Sequence, residues 1–417
     1  MPAPSFCRTE AIAPRPAPEA RSGLAGRLAD IRRRGPLQAA VSLFSIGVLV
    51  WIVWTVLSWS LSDTWSASSL SQCREILADE RHKACWGVIR ERWLQILIGF
   101  YPRDLIWRPI LAFGLLVPGL AWLLRVKAPP GGRKWGFVPF AVAPYLLWGG
   151  PVAPVLSAVL AGLAAWLAYR CGARVWFALC VAVATFAAAH ALPVSGDVGL
   201  APVTGREFGG FLLSVVIGLC AIVFSLPLGI ALALGRPSRL PLLRLVSTGF
   251  IEFIRGVPLI TLLFVASTLL NIFLPPGTNF DIVLRVIIMV TLFAAAYVAE
   301  VVRGALSAVP RGQTEGAASL GLAYWQTQRL IVLPQALRIS IPGIVSTFIS
   351  VFKDTTLVSV IGLLDPLGLA NNIRADSAWT GIAWEIYGFV AVLFFALCFA
   401  MSQYSMWLER QLRTDHR

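Results

Sequence analysis

The sequence predicts an all-α polytopic membrane protein with about ten transmembrane helices, and three observations predict it. Hydrophobic residues make up 57% of the 417, and charged residues only 13%, about half the usual share of a soluble chain. Apolar runs near the length that crosses a bilayer recur along the chain. The short segments between them carry Lys and Arg mainly on alternate sides, as membrane topology requires. This pattern excludes a soluble enzyme, a disordered chain and a disulfide scaffold. The net charge of +14 is assigned to loops facing the cytoplasm, so no nucleic-acid partner is expected. Cys7, Cys73, Cys85, Cys171, Cys180, Cys220 and Cys398 form no CxxC, and there is no HExxH, so no metal site is expected.

Residues 1–36 are rich in Pro, Ala and Arg without an apolar period and read as a disordered cytoplasmic tail. The run Val41 to Trp59 lacks an AxA-like cleavage site and sits behind that tail, so it is expected to remain as the first span. Further runs lie near 104–124, 136–148, 151–169, 174–192, 208–234, 246–272, 282–302, 341–362 and 384–408. The 136–148 run is short and holds Pro139 and Pro144. Counting it puts both termini on one side.

The basic residues say which side. Arg125, Lys127, Arg133, Lys134, Arg170, Arg174, Arg236, Arg239, Arg244, Arg303, Arg311, Arg329 and Arg338 fall in short loops on one face, against Arg206, Arg285 and Arg374 on the other. The richer face is cytoplasmic, with both termini there. Merging 136–169 into one span would place Arg170 and Arg174 outside and break the pattern. Residues 37–200 thus read as a set of N-terminal helices, 207–408 as a second unit, and 409–417 as a cytoplasmic tail. The polar loop at about 60–103 then faces the extracytoplasmic side. Its Cys73 and Cys85 could bridge in an oxidising compartment, stabilising the loop by roughly 3 kcal/mol, or remain two free thiols.

The most informative stretch is the cytoplasmic segment 303–340, far longer than a connector needs to be. Pro310 and Gly312 break the helix leaving the membrane. Thr314 is expected to cap a short helix beginning at Glu315, an anion favoured near a helix start. Gly316, Ala317, Ala318 and Ser319 allow close docking, and Gly321 suits a left-handed stop. A second helical piece, Tyr324 to Val332, is expected to end ahead of Pro334. The product is a helix–elbow–helix knuckle that a partner could push.

Glu315-Gly316-Ala317, then Gly321, then Ile331, Leu333 and Pro334 resemble, spacing for spacing, the EAA-xxx-G-x9-I-x-LP signature of ABC importer permeases. Gly316 stands where that family usually has Ala. The flanking texts IEFIRGVPLITLLF, AYVAEVVRGALSAVPRGQTEGA and FKDTTLVSVIGLLD are similar to the polar amino-acid uptake subfamily, and to the longer of the two permease subunits of a general L-amino-acid transporter. The resemblance covers residues 207–408 strongly and 37–200 only as a pattern of spans. It implies that the last five helices form a type I importer core and that the EAA loop seats a coupling helix in a separate ABC ATPase dimer. It further implies a second, shorter permease, an extracytoplasmic amino-acid-binding protein and an L-amino acid substrate in a bacterial inner membrane. Mg-ATP would bind the partner ATPase. This chain has no GxxxxGK[ST] loop, so it is expected to be neither motor nor enzyme and to bind no cofactor.

Ionisable residues within spans are functional candidates by default. Lys353 and Asp354, with Thr355, could line the substrate pathway, or the charges could be neutralised by neighbouring helices. Arg255 could meet a substrate carboxylate or pair with Glu252 or Glu300. Glu300 and Arg303 are spaced for a local pair, and Arg108 lies near enough to its interface to snorkel. Pro258 should kink or unwind its span, exposing backbone groups to a protein-lined or water-lined space. Pro342 is expected in a helix's first turn.

The competing reading is an autonomous secondary transporter or channel for small polar solutes. Inverted repeats would favour it, and the two halves of the chain differ visibly. A membrane-embedded transferase would need paired acidic residues for metal and pyrophosphate, and no DxxD is present.

Overall fold

The computed structural model describes residues 36–78, 80, 82–123, 138–151, 199–269 and 281–412. The tail 1–35, residues 152–169 of one expected span and the whole of the expected span 174–192 lie outside these residues. The rest is almost wholly helical and falls into two compact units.

The first unit holds α1 (Pro36–Ser60). It is apolar on every side, and none of its most apolar window is buried in protein. A helix hydrophobic all round is a membrane span. Within the same unit the Ala84 N–H donates to the Trp59 carbonyl at 2.9 Å, and the Thr64 hydroxyl donates to the Ala84 carbonyl at 2.9 Å.

The second unit holds the remainder. The expected polar loop contains two helices: α2 (Leu70–Leu77), which buries Cys73 and whose last two residues belong to the first unit, and α3 (Gly87–Ile98), which buries Val88, Ile89 and Ile96. Then follow α4 (Trp107–Leu123) and α5 (Val138–Trp148), both of which carry a proline inside, Pro118 and Pro144. A two-residue ribbon pairs β1 (Gly150–Pro151) with antiparallel β2 (Gly199–Leu200), Gly150 opposite Leu200. Arg108 does not snorkel. It is 2% exposed, its guanidinium donates to the Ala201 carbonyl at 2.7 Å, and it sits against the Trp107 ring.

The core is built on α6 (Gly210–Gly235) packed along α9 (Ile282–Ala308). Leu213, Ile217, Ala221, Val283, Val290 and Ala294 lie fully or almost fully buried between them. In a membrane, close packing of small residues replaces the hydrophobic drive. A Cβ placed on Gly229 would come within 2.6 Å of Val298, and one on Gly343 within 2.7 Å of Val301. α12 (Leu333–Asp354) packs on α9, and α14 (Trp384–Leu412) on α12. α14 takes in 409–412, which the sequence reading assigned to the tail. Where α3 ends, Gly99 adopts φ +69 and its Cα side faces Gly209, at 2.3 Å from a built Cβ. Only glycine gives both that backbone angle and that approach.

The described part of the apolar run 246–272 is two helices. α7 (Pro241–Gly256) and α8 (Leu259–Phe264), which continues as a π-turn over Val265–Leu269, meet at 103°. Val257 is extended, as a residue before proline prefers, and Pro258 precedes the first turn of α8. Among the described residues five helices are long and apolar enough to cross a membrane, or six if this bent pair is one span. The chain is a multi-pass membrane protein.

Candidate functional site

The segment after α9 forms the knuckle. Val309 and Pro310 leave the helix in extended conformation, and α10 (Arg311–Ser319) begins at once. The sequence reading placed the start at Glu315 with Thr314 as cap. Instead Pro310, with φ −58 and ψ 137, delivers the chain directly into the helix, and the Thr314 hydroxyl donates back to the Arg311 carbonyl at 2.7 Å. Glu315 therefore lies in the second turn, where the helix dipole acts weakly.

α10 ends in a Schellman stop. The Leu322 N–H donates to the Ala317 carbonyl at 3.1 Å and the Gly321 N–H to the Ala318 carbonyl at 3.0 Å, with Gly321 at φ +74. These bonds satisfy carbonyls that a helix end otherwise leaves open. α11 (Tyr324–Thr327) restarts after the elbow, and Gln326 accepts the Ala323 N–H at 2.9 Å.

Pro334 does not end the second helix. The chain passes through a π-turn, Gln328–Val332, into α12, so that one continuous helix runs from Tyr324 to Ile361. The Leu333 N–H reaches five residues back to Gln328. This wider turn makes room for the proline ring and tolerates its missing N–H. For the same reason Pro342 lies inside α12 rather than in a first turn.

The signature residues occupy distinct places on this knuckle. Glu315, Gly316, Gly321 and Pro334 are exposed, Ile331 and Leu333 half-buried, and Ala317 is 1% exposed. A Cβ on Gly316 would meet nothing within 4 Å, so the position has room for alanine. The root is held by Ala305, Val309, Val332 and Ala336, with Gln335 bonded to Gln313 at 3.2 Å. Leu320 is 79% exposed and Trp325 69%, with Tyr324 and Leu330 also exposed. A short helix is thus presented rigidly beside an apolar rim.

Of the intramembrane candidates, Arg255 joins a charge cluster. Its Nη1 lies 3.7 Å from Glu300 Oε2, and its guanidinium rests 5.7 Å from the Tyr297 ring centre. Lys353 is exposed and Asp354 half-buried at the end of α12, and neither forms an ion pair among the described residues. Thr355 is fully buried, and its hydroxyl donates to the Phe352 carbonyl at 2.7 Å. The chain then tightens into a 3₁₀ turn, Thr355–Ile361, closed by left-handed Gly362.

Cys73 and Cys85 are joined in a disulfide. Around it, the Leu70 N–H donates to the Ala378 carbonyl at 2.9 Å, and Arg92 pairs with Asp376 at 2.6 Å. Sequence reasoning missed these ties, and Arg236's share in the charge cluster, because the partners lie far apart along the chain. Asp365 was also missed. It caps α13 (Pro366–Ala375), accepting the Leu367 and Gly368 N–H groups, and burial raises its carboxyl to about 6. The only local signal was Asp before Pro.

Membrane-crossing helices carrying a rooted, protruding helix–elbow–helix define an integral membrane permease. The chain belongs to the amino-acid ABC transporter permeases of the type I importer family, and its residues 225–414 match the family described as binding-protein-dependent transport system inner membrane component. It is 52% identical to the glutamate/glutamine/aspartate/asparagine transport system permease protein BztC of Rhodobacter capsulatus, over 99% of each chain. It is 38% identical to the inner membrane amino-acid ABC transporter permease protein YhdY of Escherichia coli, over 89% of each. A crystal structure of an amino acid ABC transporter with histidines aligns with 48% of this chain and 91% of that one, at 29% identity and a TM-score of 0.44. Proteins of this family are permease subunits rather than enzymes.

Proposed function

We propose that this chain is the longer permease subunit of an ATP-driven importer, passing amino acids from an extracytoplasmic binding protein to the cytoplasm. The observation that carries the reading is α10, a helix held out by Pro310 and stopped by Gly321, with Glu315 exposed on it. Such a helix fits a groove in an ABC ATPase dimer. Mg-ATP on that dimer supplies the energy. The residues of this chain transmit the movement through a rigid root of Val309, Val332 and Ala336. The excess of basic residues in the loops on this face supports its reading as cytoplasmic.

A shorter permease completes the pathway. Arg255, Pro258, Lys353 and Asp354 are its candidate lining from this chain; Thr355, buried and bonded to its own helix, supports the wall behind them. The substrates are the acidic amino acids and their amides. This range rests on the likeness to BztC across nearly the whole of both chains.

The test is uptake of radiolabelled glutamate, glutamine, aspartate and asparagine by cells carrying the chain with its transport partners, beside Glu315→Lys. That variant should insert normally and lose uptake. Normal uptake by it would remove the coupling role from α10. Uptake of basic amino acids in preference to these four would overturn the substrate range.

A further inference from the structure

Glu300 is the meeting point of three arginines from three places in the core. Its Oε1 accepts from Arg303, one turn ahead on α9, through both Nε at 3.0 Å and Nη2. Its Oε2 faces Arg236, immediately after α6, at 3.1 Å, and Arg255, in the last turn of α7, at 3.7 Å. Arg236 also reaches Glu252 on α7 at 2.7 Å. The Glu300 side chain is only 24% exposed, so solvent screens the cluster incompletely. Three guanidinium groups and two carboxylates thus leave one net positive charge. Without Glu300, three cations would share the single carboxylate of Glu252.

The position of the cluster gives it a task. α9 runs from Glu300 straight to Ala308, where Pro310 starts α10. Arg255 stands three residues before Pro258, where the path turns by 103° into α8. We propose that Glu300 is a positioning residue for transport. It ties the ends of α6 and α7 to α9, so that displacement of α10 reaches the Pro258 break as one movement. The break is the discontinuity in the core nearest Arg255, and it is where this inference places the moving joint. This inference rests on the coupling role of α10.

The test uses the full transport complex in proteoliposomes, with glutamate uptake and ATP hydrolysis measured on the same vesicles. Glu300→Gln should lower glutamate moved per ATP at least tenfold while hydrolysis stimulated by the binding protein stays within twofold. Arg236→Gln, which removes the 3.1 Å contact from the end of α6, should lower the same ratio at least threefold, and it decides the matter if Glu300→Gln does not assemble. An unchanged ratio, or a parallel fall in both activities, overturns the inference. Glu315→Lys in the same assay separates the two readings. If it transports normally, the coupling role falls and this inference with it. If it loses transport while the other two variants keep the normal ratio, only the role of Glu300 falls.

Discussion

The backbone N–H of Cys85 donates to the Glu385 carboxylate at 2.9 Å, joining a disulfide-bonded cysteine near the start of the chain to the first turn of its last helix. Glu385 is buried, so the bond is shielded and its loss would leave a polar group without a partner.

Cys73→Ser should therefore destabilise the protein by about 3 kcal/mol, as expected for opening a loop of this size. Glu385→Ala should remove about 1–3 kcal/mol. Since both act on Cys85, the double variant should lose less than the two separate losses together. Thermal unfolding of the purified protein in detergent, with and without reductant, measures this. Equal stability of Cys73→Ser and the parent would refute it.

The two glycines of the knuckle should respond oppositely to alanine. Gly316→Ala adds a methyl into open space on a helix and should stabilise by about 1 kcal/mol. Gly321→Ala forces a side chain to φ +74 and should destabilise by about 1–2 kcal/mol. Melting temperatures of the two variants, measured side by side, should move in opposite directions.

Asp365 predicts a pH dependence. Its folded-state carboxyl is raised to about 6 by burial, so between its unfolded value and 6 the folded state holds more protons. The stability this group contributes is then full below about pH 4 and is lost as pH rises through 6, by up to about 3 kcal/mol. Asp365→Asn keeps the cap on α13 and should flatten that decline. Unfolding profiles from pH 4 to 7 that are equally steep in both proteins would contradict the assignment.

Gly99→Ala should be among the least tolerated changes. The new Cβ would need φ +69 and would lie 2.3 Å from the Gly209 backbone. Strain and overpacking together suggest a loss of about 3 kcal/mol. The yield of folded protein after detergent extraction, compared with Gly316→Ala, checks it.

The α7–α8 bend was legible because Pro258 acts locally, through a fixed φ and a missing N–H. Gly321 was legible for the same kind of reason. The errors arose where a neighbouring element changed a local rule. Thr314 was displaced as a cap by Pro310. Pro334 and Pro342 were absorbed by a π-turn and a packed helix.

The sequence by itself determined that this chain lives in a membrane and which permease family its signature resembles. Apolar length, basic loops and signature spacing are properties of consecutive residues and need no partner. Tertiary structure decided which charges meet across helices. Arg236 and Arg255 come to Glu300 from the ends of α6 and α7, joining Arg303, whose pairing within α9 the sequence spacing already offered, while Lys353 and Asp354 take no ion-pair partner among the described residues. Side-chain pairing falls off over a few ångströms, and those distances exist only once α6, α7 and α9 have packed.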